Sequence, residues 1–165
     1  MSDVPGVDED GRKKAKSYAL RLLRTRPRTT DELRRRMMAK GYAEPLVSVI
    51  VADLAGKGFC DDAAFTRVWL RARLERLGFK RVARELKDKG IPADMIGRAW
   101  DALRGDYDEA EVVRALVAQR MGRYAGLDPE KRNRRLTDYL LRRGFTADII
   151  YKVIPAGRGM DQNRD

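Results

Sequence analysis

Arginine is the residue type with the most chemistry to offer in this sequence. Lys and Arg number 36 against 25 Asp and Glu, giving a net charge of +11, and there is no histidine. One short stretch, DDAAFTRVWLRARLERLGFKRVARELKDKGI at residues 61–91, holds Arg71, Arg73, Arg81 and Arg84. Guanidinium forks match carboxylate and phosphate alike, so four that converge would form an anion-binding patch. A denser group comprises Arg24, Arg26, Arg28 and the run Arg34-Arg35-Arg36, and a third comprises Lys131, Arg132, Arg134 and Arg135. The candidate partner-binding residues are therefore Arg71, Arg73, Arg81, Arg84, Arg26, Arg28, Arg34, Arg35, Arg132 and Arg135. Solvated faces and internal pairing compete with that reading. Glu85 and Lys89 stand at i, i+4, and Asp61, Asp62 or Glu75 could each absorb an arginine.

Other chemistries find little to work with. The absence of histidine removes the commonest general base, and the single Cys60 allows neither an intramolecular disulfide nor the usual zinc ligand sets. Adjacent helical residues point about 100° apart, so Asp61-Asp62 reads as helix capping rather than a magnesium site. No glycine-rich phosphate loop or nucleophile elbow is present. The reading is a non-enzyme with no catalytic residue, no metal and no cofactor. Without a signal-like segment or a bilayer-length apolar run, the expected location is the cytoplasm.

The elements that must position the arginines read as helices. Apolar residues recur at helical spacing, and strand-like alternation is missing. Helices are expected over about 12–25, 30–41, 45–56, 62–77, 79–89, 93–104, 107–121, 129–143 and 147–154. Thr29 or Thr30, Asp61 or Asp62, Asp128 and Thr146 are the cap candidates, and Glu32 completes a capping box with Thr29. In the 62–77 helix, Phe65, Val68, Trp69 and Ala72 fall on one face and Leu70, Leu74 and Leu77 on another. Two apolar faces predict burial from both sides. Trp69 and Trp100 are expected in the core.

Superimposing Gly41, Gly90 and Gly144 brings three segments into register. Leu33, Val82 and Leu136 stand eight residues before the glycine, Met37, Leu86 and Leu140 four before, and Lys40, Lys89 and Arg143 one before. Tyr42, Ile91 and Phe145 follow it. One helix–Gly–helix unit is thus used three times. Each unit alone would bury a marginal core, so neighbours must support one another. The fold class is all-α, an elongated, curved array of three tandem three-helix repeats. Its parts are an acidic disordered tail at 1–11, repeats at 12–58, 59–104 and 105–154, and a loose tail at 155–165. Residues 1–11 carry a charge of −4 and residues 12–58 carry +9, which favours acidic partners, and the tail could compete with them.

The chain resembles the RecX family of regulators of the bacterial RecA recombinase. The resemblance covers about residues 16–154 and is strongest at Asp61-Asp62, Phe65, Arg71 and Arg73, Gly78, Arg81-Val82, Glu85-Leu86 and Lys89-Gly90-Ile91. The first repeat adds Tyr18-Ala19-Leu20, Leu22-Leu23, the Arg24–Arg28 turn, Glu32-Leu33 and Lys40-Gly41. The departures are Val82, where isoleucine is common, and Phe59-Cys60 ahead of the acids. The resemblance implies a regulatory, non-enzymatic modulator of recombination and DNA repair. It would lie in the groove of the RecA filament on single-stranded DNA and restrain ATP hydrolysis, filament growth and strand exchange. The implied partners are RecA and single-stranded DNA, with duplex DNA as a further ligand, no membrane, and a monomeric chain. The rival reading is a non-specific DNA-binding helical protein acting directly on nucleic acid.

Overall fold

The computed structural model describes residues 9–154, and most of both expected tails, 1–8 and 155–165, lies outside them. Among the described residues there are nine α-helices and no strand: α1 Glu9–Thr25, α2 Thr30–Ala39, α3 Glu44–Gly56, α4 Asp62–Leu74, α5 Phe79–Asp88, α6 Ala93–Leu103, α7 Glu109–Met121, α8 Pro129–Arg142 and α9 Ala147–Val153. The fold is all-α, built from three tandem three-helix segments. Short 3-10 turns follow α6 at Arg104–Asp106 and α7 at Gly122–Tyr124. The first helix starts at Glu9, three residues ahead of Arg12. Glu9 and Asp10 occupy the positive end of the helix dipole and pair one turn on with Lys13 and Lys14, which carries the helix into the acidic segment.

The caps follow the chemistry of the boundary residues. Thr29 Oγ1 accepts from the Glu32 N–H at 3.0 Å, Asp61 Oδ1 from Ala64 at 2.8 Å, and Asp128 Oδ1 from Glu130 at 2.9 Å. Thr146 holds the cap position of α9 without a side-chain bond. Asp108 caps α7, so that helix begins after Tyr107 rather than at it. The three superimposed glycines close their helices identically. Gly41, Gly90 and Gly144 have φ of +99°, +80° and +87°. The N–H after each glycine donates back to the residue four before it: Tyr42 to Met37, Ile91 to Leu86 and Phe145 to Leu140. This is the 6→1 bond of a Schellman cap, and only glycine enters that backbone region without strain.

Contacts divide the chain into two compact units, Met1–Trp69 with Leu86–Ala99, and Leu70–Glu85 with Trp100–Asp165. In the first unit, Ala15, Ala19, Leu33, Met37, Val47, Ile50 and Leu54 form a closed core from α1, α2 and α3, with Cys60 at its edge. In the second, Val113 and Leu116 of α7 pack with Leu136, Tyr139 and Leu140 of α8 and with Phe145, Ile150 and Ile154. Each fully buried Leu or Ile side chain contributes about 1.5–3 kcal/mol by leaving water.

Within each unit the same junction occurs. In the first, the start of α2 sits on the corner that ends α5. Thr29 Oγ1 donates to the Lys89 carbonyl at 2.6 Å and Arg35 Nη1 to the Asp88 carbonyl at 3.2 Å, while a Cβ on Gly90 would collide with Asp31. In the second, the start of α5 sits on the corner that ends α8. Gly78 N–H donates to the Arg143 carbonyl at 2.9 Å and Arg81 Nη1 to the Arg142 carbonyl at 2.8 Å, while a Cβ on Gly144 would collide with Arg81. Thr29 and Gly78 both stand twelve residues before their own corner glycine. In each case the positive start of one helix meets the negative end of another.

Helix α4 departs from expectation. Leu70 and Leu74 are fully buried, but the Phe65–Val68–Trp69–Ala72 face is not: Val68 is 69% exposed, Ala72 is exposed, and the two rings are half-buried. The aromatic pair stacks on itself at 5.4 Å between centroids and takes the Lys89 ammonium 4.4 Å from the Trp69 ring centre, so a cation covers it where a second apolar layer was expected. Trp100 is likewise half-buried, stacked on Phe79 at 4.3 Å with Tyr107 edge-on.

Candidate functional site

The candidate arginines fall in both units. In the first, the arginine-rich turn after α1 is largely committed to the fold. Arg26 forks onto Glu32, with Nη1 at 3.1 Å and Nη2 at 3.3 Å. Arg28 donates from Nε to the Leu22 carbonyl at 3.2 Å and from Nη2 to Thr25. Burial, together with the nearby Arg26 and Arg36 charges, pushes the Arg28 guanidinium below its ordinary value. Arg35 pairs with Asp31 and reaches the Asp88 carbonyl, yet it stays on the surface. Arg34 is half-buried and Arg36 is exposed.

At the centre of this unit lies a cluster that sequence reasoning missed. Lys89 donates to Glu32 at 2.7 Å while lying over Trp69, and its side chain is only 19% exposed. Burial pushes the Glu32 carboxyl up, but the bonds from Arg26 and Lys89 outweigh it and hold the group at about 2. Glu32 therefore completes only half of a capping box: its backbone N–H meets Thr29 while its carboxylate turns to the two cations. Lys89, which the i, i+4 spacing also offered to Glu85, pairs with Glu32. The signal lay in Phe65 and Trp69, four residues apart on one helix, and in a lysine placed directly before a corner glycine. Beside the cluster, Asp62 accepts from Thr30 N–H and Oγ1 at 2.9 and 2.7 Å, so both members of the Asp61-Asp62 pair serve helix starts.

In the second unit, Glu85 gathers two of the candidate arginines. Arg73 Nε lies 2.9 Å from it and Arg81 Nε 3.9 Å, with both guanidinium groups about half exposed. Arg71 and Arg84 are exposed on α4 and α5. Arg132 is half-buried, whereas Lys131, Arg134 and Arg135 are exposed along α8. Arg120 and Arg143 lie 3.9 and 4.7 Å from the centre of the Tyr139 ring, a cation–π grip on a buried aromatic. A cavity of about 560 Å³ is lined by Trp100, Tyr107, Asp108, Glu109, Ile149 and Lys152. Two of its acids have structural work: Asp108 caps α7, and Glu109, pushed up by burial, accepts from the Phe79 N–H. Among the described residues no group of three or more His, Cys, Asp or Glu is placed to hold a metal ion, and no helix is long and apolar enough to cross a membrane.

The exposed guanidinium groups on these helix surfaces are what the described residues offer a partner, and the comparisons with known proteins say which family the chain resembles. Three family models match in order along the chain: the RecX first three-helix domain at residues 15–54, the second at 61–99 and the third at 106–154. The chain belongs to the RecX family. It is 32% identical over 148 residues to the regulatory protein RecX of Amycolatopsis mediterranei, covering 88% of this chain and 84% of that one. It is 32% identical over 166 residues to the regulatory protein RecX of Mycobacterium avium, covering 97% and 94%. The crystal structure of RecX from Lactobacillus salivarius superimposes with a TM-score of 0.77 at 23% identity, over 88% of this chain and 95% of that one, a likeness of fold. The second RecX domain, residues 61–99, is shared between the two compact units.

Proposed function

We propose that this RecX-family chain is a non-enzymatic regulator that binds in the groove of the RecA–single-stranded DNA filament and restrains ATP hydrolysis, filament extension and strand exchange. The observation that carries the reading is the ordered match of all three RecX domains, in a chain whose similar relatives are named regulatory proteins. The charge agrees with it. A net +11 draws the chain toward phosphate and acidic protein surfaces, and arginines on both units give it more than one anchor. Arg71, Arg73, Arg81 and Arg84 form the central contact set and Arg132 and Arg135 the third-repeat set; in the first repeat Arg34 and Arg35 lead, while Arg26 and Arg28 would reach a partner only by giving up their bonds to Glu32 and to the Leu22 carbonyl. Attachment at separate points along a repeating partner lets a monomer bind tightly through weak contacts. The site of action is the cytoplasm.

The test is co-sedimentation with a preassembled RecA–single-stranded DNA–nucleotide filament, beside bare DNA, across a salt series with ATP turnover followed in parallel. Binding to the filament that exceeds binding to DNA and slows turnover is the expected result. Equal binding to both, lost together as salt rises, would replace this reading with that of a DNA-binding protein.

A further inference from the structure

Each junction described above spends the corner of one repeat on the helix start of the repeat before it. The Gly90 and Gly144 corners are occupied and half-buried in this way. The Gly41 corner has the same backbone, with φ of +99° and the same 6→1 bond, yet Ala39, Lys40 and Gly41 are exposed. Among the described residues nothing lies within 4 Å of a Cβ built there.

We infer that the Ala39–Gly41 corner is a docking site for the first turn of a helix from a protein partner. That partner's cap residue donates to the Lys40 carbonyl, and its guanidinium or another donor reaches the Ala39 carbonyl. The two filled corners supply the pattern. In both, the carbonyl one residue before the glycine takes a donor from the cap residue, and the carbonyl two before takes an arginine Nη1. The end of α2 carries partial negative charge on its free carbonyls, which suits a helix start and its N–H donors. A second copy of this chain fits poorly. Its remaining helix start of this class is that of α8, which has 14 residues where α2 and α5 have 10 each. The residue twelve before Gly144 is Arg132, inside the helix, so the start of α8 lies about a turn away from the register that the two junctions use.

The inference rests on the proposed regulatory role, with a filament subunit supplying the helix. The experiment compares Gly41→Asn with Gly58→Asn for binding to the RecA–single-stranded DNA filament. Asn tolerates the left-handed region, and Gly58, with φ of +76° and open space around it, is the matched control in the same repeat. A loss of tenfold or more confined to Gly41→Asn, with its thermal transition matching that of the control, is expected. Equal affinity for both variants and the parent, or an equal loss in both, overturns the corner and leaves the filament reading standing. A parent protein that ignores the filament overturns both. Should Gly41→Asn fail to fold, amide exchange in the parent decides: slowing across residues 38–42 on filament binding supports the site, and unchanged exchange removes it.

Discussion

At the scale of single residues, polar side chains carry more of this structure than its arginine count suggests. Thr29 is fully buried and works twice, as cap to Glu32 and as donor to Lys89. Thr29→Val keeps the shape and loses both bonds, and chemical denaturation should show a loss of about 2 kcal/mol. Glu32, held at about 2 against an ordinary 4.5, stabilises the fold fully above about pH 4.5, and that contribution drains away as pH falls toward 2. Melting curves of Glu32→Gln should therefore trail the parent by roughly 2 kcal/mol near neutrality and converge with it in acid. Burial, with Asp62 nearby, pushes the Cys60 thiol up, so it should resist an aromatic disulfide reagent until urea unfolds the chain. Arg71 is exposed, and Arg71→Glu should weaken filament binding at least fivefold with an unchanged melting temperature. Arg73→Glu also breaks a pair with Glu85, so its binding and its fold must be read together. Which arginine pairs with what was not legible in the sequence. That choice depends on the meeting of side chains far apart along the chain, as Arg81 meets the Arg142 carbonyl.

At the scale of elements, helix positions and corners were legible because they follow from local rules. A cap, an apolar spacing and a glycine before an apolar residue fixed α2, α5 and α8 within a few residues. The corner glycines came out in register because the Schellman geometry demands them. The junctions were hidden for a physical reason: the same docking is made by a threonine hydroxyl in one case and a glycine amide in the other, so residue identity does not repeat. The second face of α4 misled for another. Period alone cannot distinguish an aromatic pair covered by a second helix from one covered by a lysine. Gly78 shows how tight the junction is, since a Cβ there would strike the backbone of Gly144. Gly78→Ala should cost about 2–4 kcal/mol by denaturation, because backbone cannot move aside as a side chain can.

At the scale of the whole molecule, the three RecX domains and the two compact units are different partitions of one chain, and the unit boundaries fall inside α4, α5 and α6. Charge belongs to this scale too. With +9 concentrated in residues 12–58, binding to bare DNA should weaken steeply between about 50 and 200 mM salt through counterion release. Filament binding, with donor–acceptor contacts in addition, should fall less over the same titration. The longer α8 has a genealogical meaning. Two junctions pass structure from one repeat to the next, and a gene that duplicates its modules could lengthen such a chain without limit. One extra helical turn sets the start of α8 off the register that the two junctions share. Adding a further copy by the same junction would first require that start to be moved back by a turn.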